Sequence, residues 1–135
     1  MSSFSKTTEI QVRYRDIDSV KHVNNAVYVS YLEQARIEYV DEVVGQDPVE
    51  PSFVLVSLDI DYERTIRLGE SVTVAMETTA IGTSSIEMGY EIRADGDRAA
   101  TATSVIVPFD PETDSSYPVT DRWRERISAH EGKEF

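Results

Sequence analysis

Arg13-Tyr-Arg-Asp-Ile-Asp18-Ser-Val-Lys-His22-Val-Asn-Asn25-Ala-Val-Tyr28 is the stretch in which the chain changes its periodicity. Upstream, Glu9 to Arg15 alternates, placing Ile10, Val12 and Tyr14 on one face and polar or charged residues on the other, the pattern of a half-buried strand. Asp16 to Asn25 breaks that alternation with short polar residues and reads as a loop. Downstream, Ala26 to Val44 carries apolar residues at positions 28, 31, 32, 35, 39, 40 and 43, the spacing of one helix face. Asn24 or Asn25 can cap the start of that helix, and Gly45 stands where a left-handed residue would stop it.

The remainder is mostly strand. Phe53 to Arg64, Ser71 to Ala80, Ser85 to Arg93 and Ala99 to Phe109 alternate or run β-rich. They are separated by Thr65 to Glu70, by Gly82-Thr83-Ser84 and by Asp95-Gly96, the last a hairpin signal. Gln46 to Pro51 reads as a loop, and Pro118 to His130 as a short helix with Trp123 and Ile127 on one side and Thr120 as its cap. The order strand, long helix, four strands, short helix predicts an α+β fold with the long helix on one face of an antiparallel sheet. One helix cannot cover both faces and both edges, so self-association is expected.

The length of 135 residues suits a single domain over 1–135. Acidic residues outnumber basic ones 25 to 13, for a net charge of −12, and three of those cations are lysines against ten arginines. Such a surface repels phosphate backbones and anionic lipid, so no nucleic-acid or membrane partner is expected. No apolar run reaches the ~20 residues of a membrane span, and the polar start lacks a signal peptide, so a cytoplasmic location is expected. With no cysteine and two histidines the chain offers no thiolate nucleophile and a poor metal-ligand set. No Gly-rich phosphate loop is present either, so no cofactor is expected. Acid excess with scarce lysine resembles haloarchaeal proteins, whose self-repulsion salt screens.

The opening stretch gathers two carboxylates (Asp16, Asp18), an imidazole (His22) and two amides (Asn24, Asn25) just before a helix. A helix start presents unsatisfied N–H groups and partial positive charge, suited to a developing oxyanion. A carboxylate beside it can act as general base on water or attack a carbonyl itself. Loop and cap formation accounts for the same residue types without chemistry. Asp16 is read as structural, capping or pairing with Arg13 or Arg15. Arg36 is read as a partner for a loop carboxylate. Glu33 and Glu38 are read as solvent-facing, and His130 as a helix-end residue.

The stretch also resembles the signature of the 4-hydroxybenzoyl-CoA thioesterase superfamily: an aromatic residue, any residue, Asp-x-Asp, two or three residues, His-Val-Asn-Asn, two residues, Tyr. Here it stands as Tyr14 through Tyr28 and continues into Tyr31-Leu-Glu-Gln-Ala-Arg36-Ile-Glu-Tyr39. The resemblance implies the hot-dog fold, an antiparallel five-stranded sheet wrapped around one long central helix, with a homodimer as minimal unit and a homotetramer expected. It implies hydrolysis of acyl-CoA thioesters, with Asp18 as general base or nucleophile and the Asn25 N–H as oxyanion donor. His22 falls where related members have a site histidine. Asn24, Tyr28, Arg64 and Arg67 are the candidates for substrate binding. Arg64 and Arg67, with Arg93 or Arg98 near the hairpin, are the cations for CoA phosphates, and an acyl-carrier protein is the alternative carrier. The chain departs from the pattern at Val20, where plant relatives have Asn, at Lys21, where Gly is common, and at Gly82-Thr83-Ser84, where some members carry a cation. A hydratase or dehydratase of acyl thioesters, or a non-catalytic acyl-thioester-binding protein, is the alternative on the same scaffold.

Overall fold

A computed structural model describes residues 4–45 and 52–135; the loop read at 46–51 lies outside the described residues. The long helix α1 spans Asn25–Val43. Asn24 is its N-cap, its side chain accepting the Ala26 N–H at 2.8 Å, and Gly45 at φ +83° ends it as expected. All seven apolar positions of the predicted stripe are buried, so the 3.6-residue period decided which face turns inward.

Strands β1 (Lys6–Ile10), β2 (Phe53–Tyr62), β3 (Val72–Ile81), β4 (Ile86–Ala94) and β5 (Asp97–Asp110) form an antiparallel sheet in the order β1-β3-β4-β5-β2, and a two-residue β6 (Ser115–Ser116) pairs with β5. The turn between β4 and β5 places Asp95 and Gly96 both at positive φ, the backbone a two-residue hairpin needs. On the inner face Val74, Met76, Ile86, Met88, Ile92 and Ile106 are buried and join the inward residues of α1 in one core. This is the hot-dog arrangement. The short helix α2 (Asp121–Glu131) is capped by Thr120 and buries Trp123 and Ile127. Its last residue, Glu131, accepts from the Tyr39 hydroxyl, the Thr78 N–H (3.0 Å) and Ser5 Oγ (2.9 Å), pinning α2 to α1 and the β1–β3 edge.

Two expectations need correction. Alternation places the first strand over Glu9–Arg15, but it runs over Lys6–Ile10, and Tyr14 is 84% exposed on a single 3₁₀ turn (Tyr14–Asp16). Ile10 pairs with Val72, the first residue of β3, so the alternation of residues 11–14 continues with no strand left to pair with. Arg36 does not reach a loop carboxylate. It sits at the i+4 position from Leu32, which turns it to the sheet; it is 2% exposed and Nη1 donates to the Tyr90 hydroxyl at 3.3 Å, itself 2.6 Å from Ser104 Oγ. Its Nε has no partner among the described residues.

A buried guanidinium whose Nε lacks a partner among the described residues and whose Nη1 meets a neutral hydroxyl is costly, and apolar replacement of buried charge is often neutral or stabilising. Arg36→Met is therefore expected to hold or raise the urea midpoint. A loss above about 2 kcal/mol would show the charge to be compensated.

Candidate active site

The polar stretch before α1 folds as a miniature hairpin. The Asn24 N–H donates to the Asp16 carbonyl at 2.9 Å, Ile17 and Val23 form a β-bridge, and the Asp18 N–H donates to the His22 carbonyl at 2.9 Å. The turn closes with the Lys21 N–H on the Asp18 carbonyl at 3.0 Å. Asp18 and His22 thus stand opposite one another at the hairpin tip, both half-buried. Asp18 Oδ1 accepts from the Val20 N–H at 3.0 Å and from the His22 N–H at 3.4 Å, while Oδ2 enters neither bond. Lys21 adopts φ +65°, so a lysine occupies the left-handed position that glycine fills at least cost. The turn is kept despite the departure from the family pattern.

The hairpin is tied down at both sides. Asp16 Oδ2 accepts from the Arg13 N–H (2.9 Å) and from the Tyr31 hydroxyl (2.8 Å), which links the 3₁₀ turn to the second turn of α1. Burial, then that hydrogen bond to Asp16, push the Tyr31 hydroxyl far above its ordinary range, so it stays a donor. Asp16 takes up the capping alternative of its reading, bonded to a backbone amide and a tyrosine rather than to an arginine side chain. On the other side the Val23 N–H donates to the Ile66 carbonyl at 2.8 Å. The Tyr62 hydroxyl donates to the Asn25 carbonyl at 2.8 Å, and Tyr28 meets Tyr62 edge-on at 5.0 Å. Nothing in the sequence pattern marked Tyr62 or the Tyr31–Asp16 pair. Their one signal was tyrosine at apolar positions, where a hydroxyl needs a partner.

At the start of α1 the Asn24 side chain takes the Ala26 N–H and the Asn24 carbonyl takes the Val27 N–H at 2.8 Å. The Asn25 N–H is in neither bond. Asp18 and His22 lie on the hairpin that leads into α1, and Asn25 is the first residue of that helix, with Asn24 committed to capping it. Tyr28 is 1% exposed with its hydroxyl on the Arg64 carbonyl at 3.1 Å, so it pins the end of β2 to the helix. Arg64 is held by its own acid. Nη2 lies 2.6 Å and Nη1 3.3 Å from the Glu70 carboxylate, with Asp97 at 3.8 Å from Nε. Arg67 leaves its side chain exposed while its N–H donates to Glu70 Oε1 at 2.7 Å. No group of three or more His, Cys, Asp or Glu side chains arranged to hold a metal occurs among the described residues.

A family model described as the thioesterase-like superfamily matches residues 12–127. The chain belongs to the thioesterase-like superfamily. The reading of the sequence as a thioesterase stands with that. The long-chain acyl-CoA thioesterase FadM of Escherichia coli is 27% identical over 125 residues, covering 89% of this chain and 95% of FadM. A thioesterase from Thermus thermophilus, solved in complex with coenzyme A and Zn, superposes with a TM-score of 0.88 at 35% identity over the whole of both chains. A predicted thioesterase from Bacillus stearothermophilus gives 0.84 at 28% identity, covering 92% of this chain and 94% of that one.

Two outcomes follow from the geometry. A left-handed lysine costs roughly 1–2 kcal/mol, part of which glycine returns as lost backbone entropy. Lys21→Gly should therefore raise the urea midpoint slightly, and Lys21→Val should lower it. For the turn, hydrogen bonding and the charge of Arg64 hold the Glu70 carboxyl below its ordinary value. A lowered carboxyl stabilises the fold above its unfolded value and stops doing so as pH falls through the folded one. Glu70→Gln should then be less stable than the parent at neutral pH, with the gap closing in acid, read from thermal melts across pH.

Proposed function

We propose that the chain hydrolyses acyl-CoA thioesters to the free acid and CoA. The observation that carries this reading is Asp18 at the tip of a hairpin whose other strand runs directly into the N-terminus of α1. The thioester carbonyl oxygen accepts from the Asn25 N–H, aided by the partial positive charge of the helix end. Asp18, oriented through Oδ1, offers Oδ2 either to take a proton from an attacking water or to attack the carbonyl carbon itself. Collapse of the tetrahedral intermediate breaks the C–S bond. On the general-base route the proton that Asp18 took from water goes to the leaving thiolate. On the nucleophilic route a water then hydrolyses the mixed anhydride on Asp18 to the free acid, supplying the thiolate's proton. His22, across the hairpin from Asp18, binds or orients the water. The similarity to FadM and to the CoA-bound Thermus thioesterase supports CoA as the carrier.

The working unit on this reading is a homodimer, itself paired into a tetramer. Support comes from β2, a ten-residue edge strand that leaves Leu55 (39%), Val56 (58%) and Tyr62 (44%) exposed. The lysine-poor composition and net charge of −12 support work in concentrated salt. No helix among the described residues is long and apolar enough to cross a membrane.

Asp18→Asn should keep the melting temperature near that of the parent and cut thiol release from acyl-CoA by roughly 100- to 10,000-fold. Thiol release at the parent rate in that variant would remove Asp18 from the chemistry. Hydration of an enoyl-CoA without free thiol would replace hydrolase by hydratase.

A further inference from the structure

CoA carries phosphates that need cations, and in this chain most cations near the sheet are already met. Arg64 is held by Glu70 and Asp97, Arg93 by Glu91, Arg98 by Glu63 at 2.9 Å and Lys6 by Glu42 at 2.7 Å. In α2, Arg122 donates to the Val44 carbonyl at 3.1 Å and Arg124 to the Gly82 carbonyl at 3.0 Å. Arg36 is buried in the core. Arg13 and Arg15 differ from all of these: neither is buried, and neither enters an ion pair with an acid of the described residues.

Both also line one cleft of about 490 Å³, between the segment that precedes the hairpin and the flank of α1. Its helix side is Val27, Ser30 and Gln34, a stripe that follows the helix for about 10 Å from its first turn. Its other wall brings Gln11 beside the two arginines. Two acids share the lining, Glu9 and Asp16, and the Asp16 carboxylate already accepts from Tyr31 and from the Arg13 N–H. Arg15 lies three residues before Asp18, on the 3₁₀ turn that leads into the hairpin, so the cleft borders the segment that carries the proposed catalytic carboxylate. It combines an elongated trough, amide and hydroxyl groups and two unpaired guanidinium forks, which suit phosphate oxygens better than ammonium groups do.

We infer that this cleft is the carrier-binding trough, in which Arg13 and Arg15 receive the phosphate groups of CoA while the pantetheine arm follows the flank of α1 toward Asn25. This rests on the acyl-CoA reading above and replaces Arg64, whose guanidinium Glu70 and Asp97 already hold, as a phosphate contact. In a chain of charge −12 the two arginines supply the local attraction that an anionic carrier otherwise lacks.

The test compares acyl-CoA, acyl-dephospho-CoA and the phosphate-free acyl-pantetheine as substrates of the full-length protein and of Arg13→Gln/Arg15→Gln. The expected result is a KM for acyl-CoA raised about tenfold, a shallower rise of that KM with salt, and collapse of the parent's preference for acyl-CoA over acyl-pantetheine. Acyl-dephospho-CoA shows which phosphate the arginines hold. An unchanged preference in the double variant overturns the assignment, as does its loss on Arg67→Gln instead. Calorimetric CoA affinity of parent and variant reads the cleft independently of turnover. A parent that binds CoA through these arginines but releases no thiol would sink the hydrolase reading and leave the trough standing. Should the glutamine pair fail to fold, Arg13→Lys/Arg15→Lys keeps the charge without the fork and is expected to retain part of the preference.

Discussion

One helix packed against one face of one sheet is the constraint from which the rest of the molecule follows. The inward stripe of α1 (Tyr28, Leu32, Ala35, Tyr39, Val40) is almost wholly excluded from water against the inner residues of β3, β4 and β5. Each such aliphatic or aromatic side chain contributes on the order of 1.5–3 kcal/mol when fully buried, so the helix axis and rotation are held firmly. Its N-terminus is then a fixed point, and the polar hairpin of residues 16–24 hangs from it through the Asn24 cap and the Asp16 carbonyl. Asp18 needs no rigid element of its own. It inherits its position from a short loop braced on one side by Tyr31 and on the other by the Ile66 carbonyl.

The same arrangement separates two jobs that the sequence placed side by side. Asp16 and Asp18 differ by two residues and would face alike on a strand. The hairpin gives them opposite fates. Asp16 has one carboxylate oxygen committed to two donors, a structural anchor, whereas Asp18 commits Oδ1 to the turn and keeps Oδ2 out of those bonds. Tyrosines do much of the bracing: Tyr31 and Tyr28 set their rings in the core and deliver hydroxyls to Asp16 and to the Arg64 carbonyl, while the half-exposed Tyr62 packs edge-on against Tyr28 and donates to the Asn25 carbonyl.

Electrostatics divides along similar lines. An excess of acids leaves arginines in demand, and several are absorbed by neighbouring carboxylates or by the carbonyls at helix and turn ends. Arg64 illustrates why a cation chosen from sequence can be unavailable: Glu70, six residues on, folds back over the same turn and grips the guanidinium with both oxygens. Spacing along the chain gave no hint of that, because the turn between them brings the pair together.

What the sequence determined by itself was whatever depends on local periodicity and local sterics. The helix stripe from Tyr28 to Val43, the Asn24 cap, the Gly45 stop, the Asp95-Gly96 turn and the Thr120 cap are properties of a few neighbouring residues, and each appears where the pattern put it. The Asp-x-Asp and His-Val-Asn-Asn string marked the candidate site through its resemblance to a family signature, since local propensity alone reads the same residues as loop and cap formers. Tertiary structure alone decided where β1 ends, since Val12 and Tyr14 alternate correctly but β3 begins at Val72 and offers them no partner. It also decided that Arg36 turns into the core, that Tyr31 holds Asp16 and that Arg13 and Arg15 share a cleft with the flank of α1. Each of these depends on which distant group comes within a few ångströms, a distance that packing sets and that no count of residues along the chain contains.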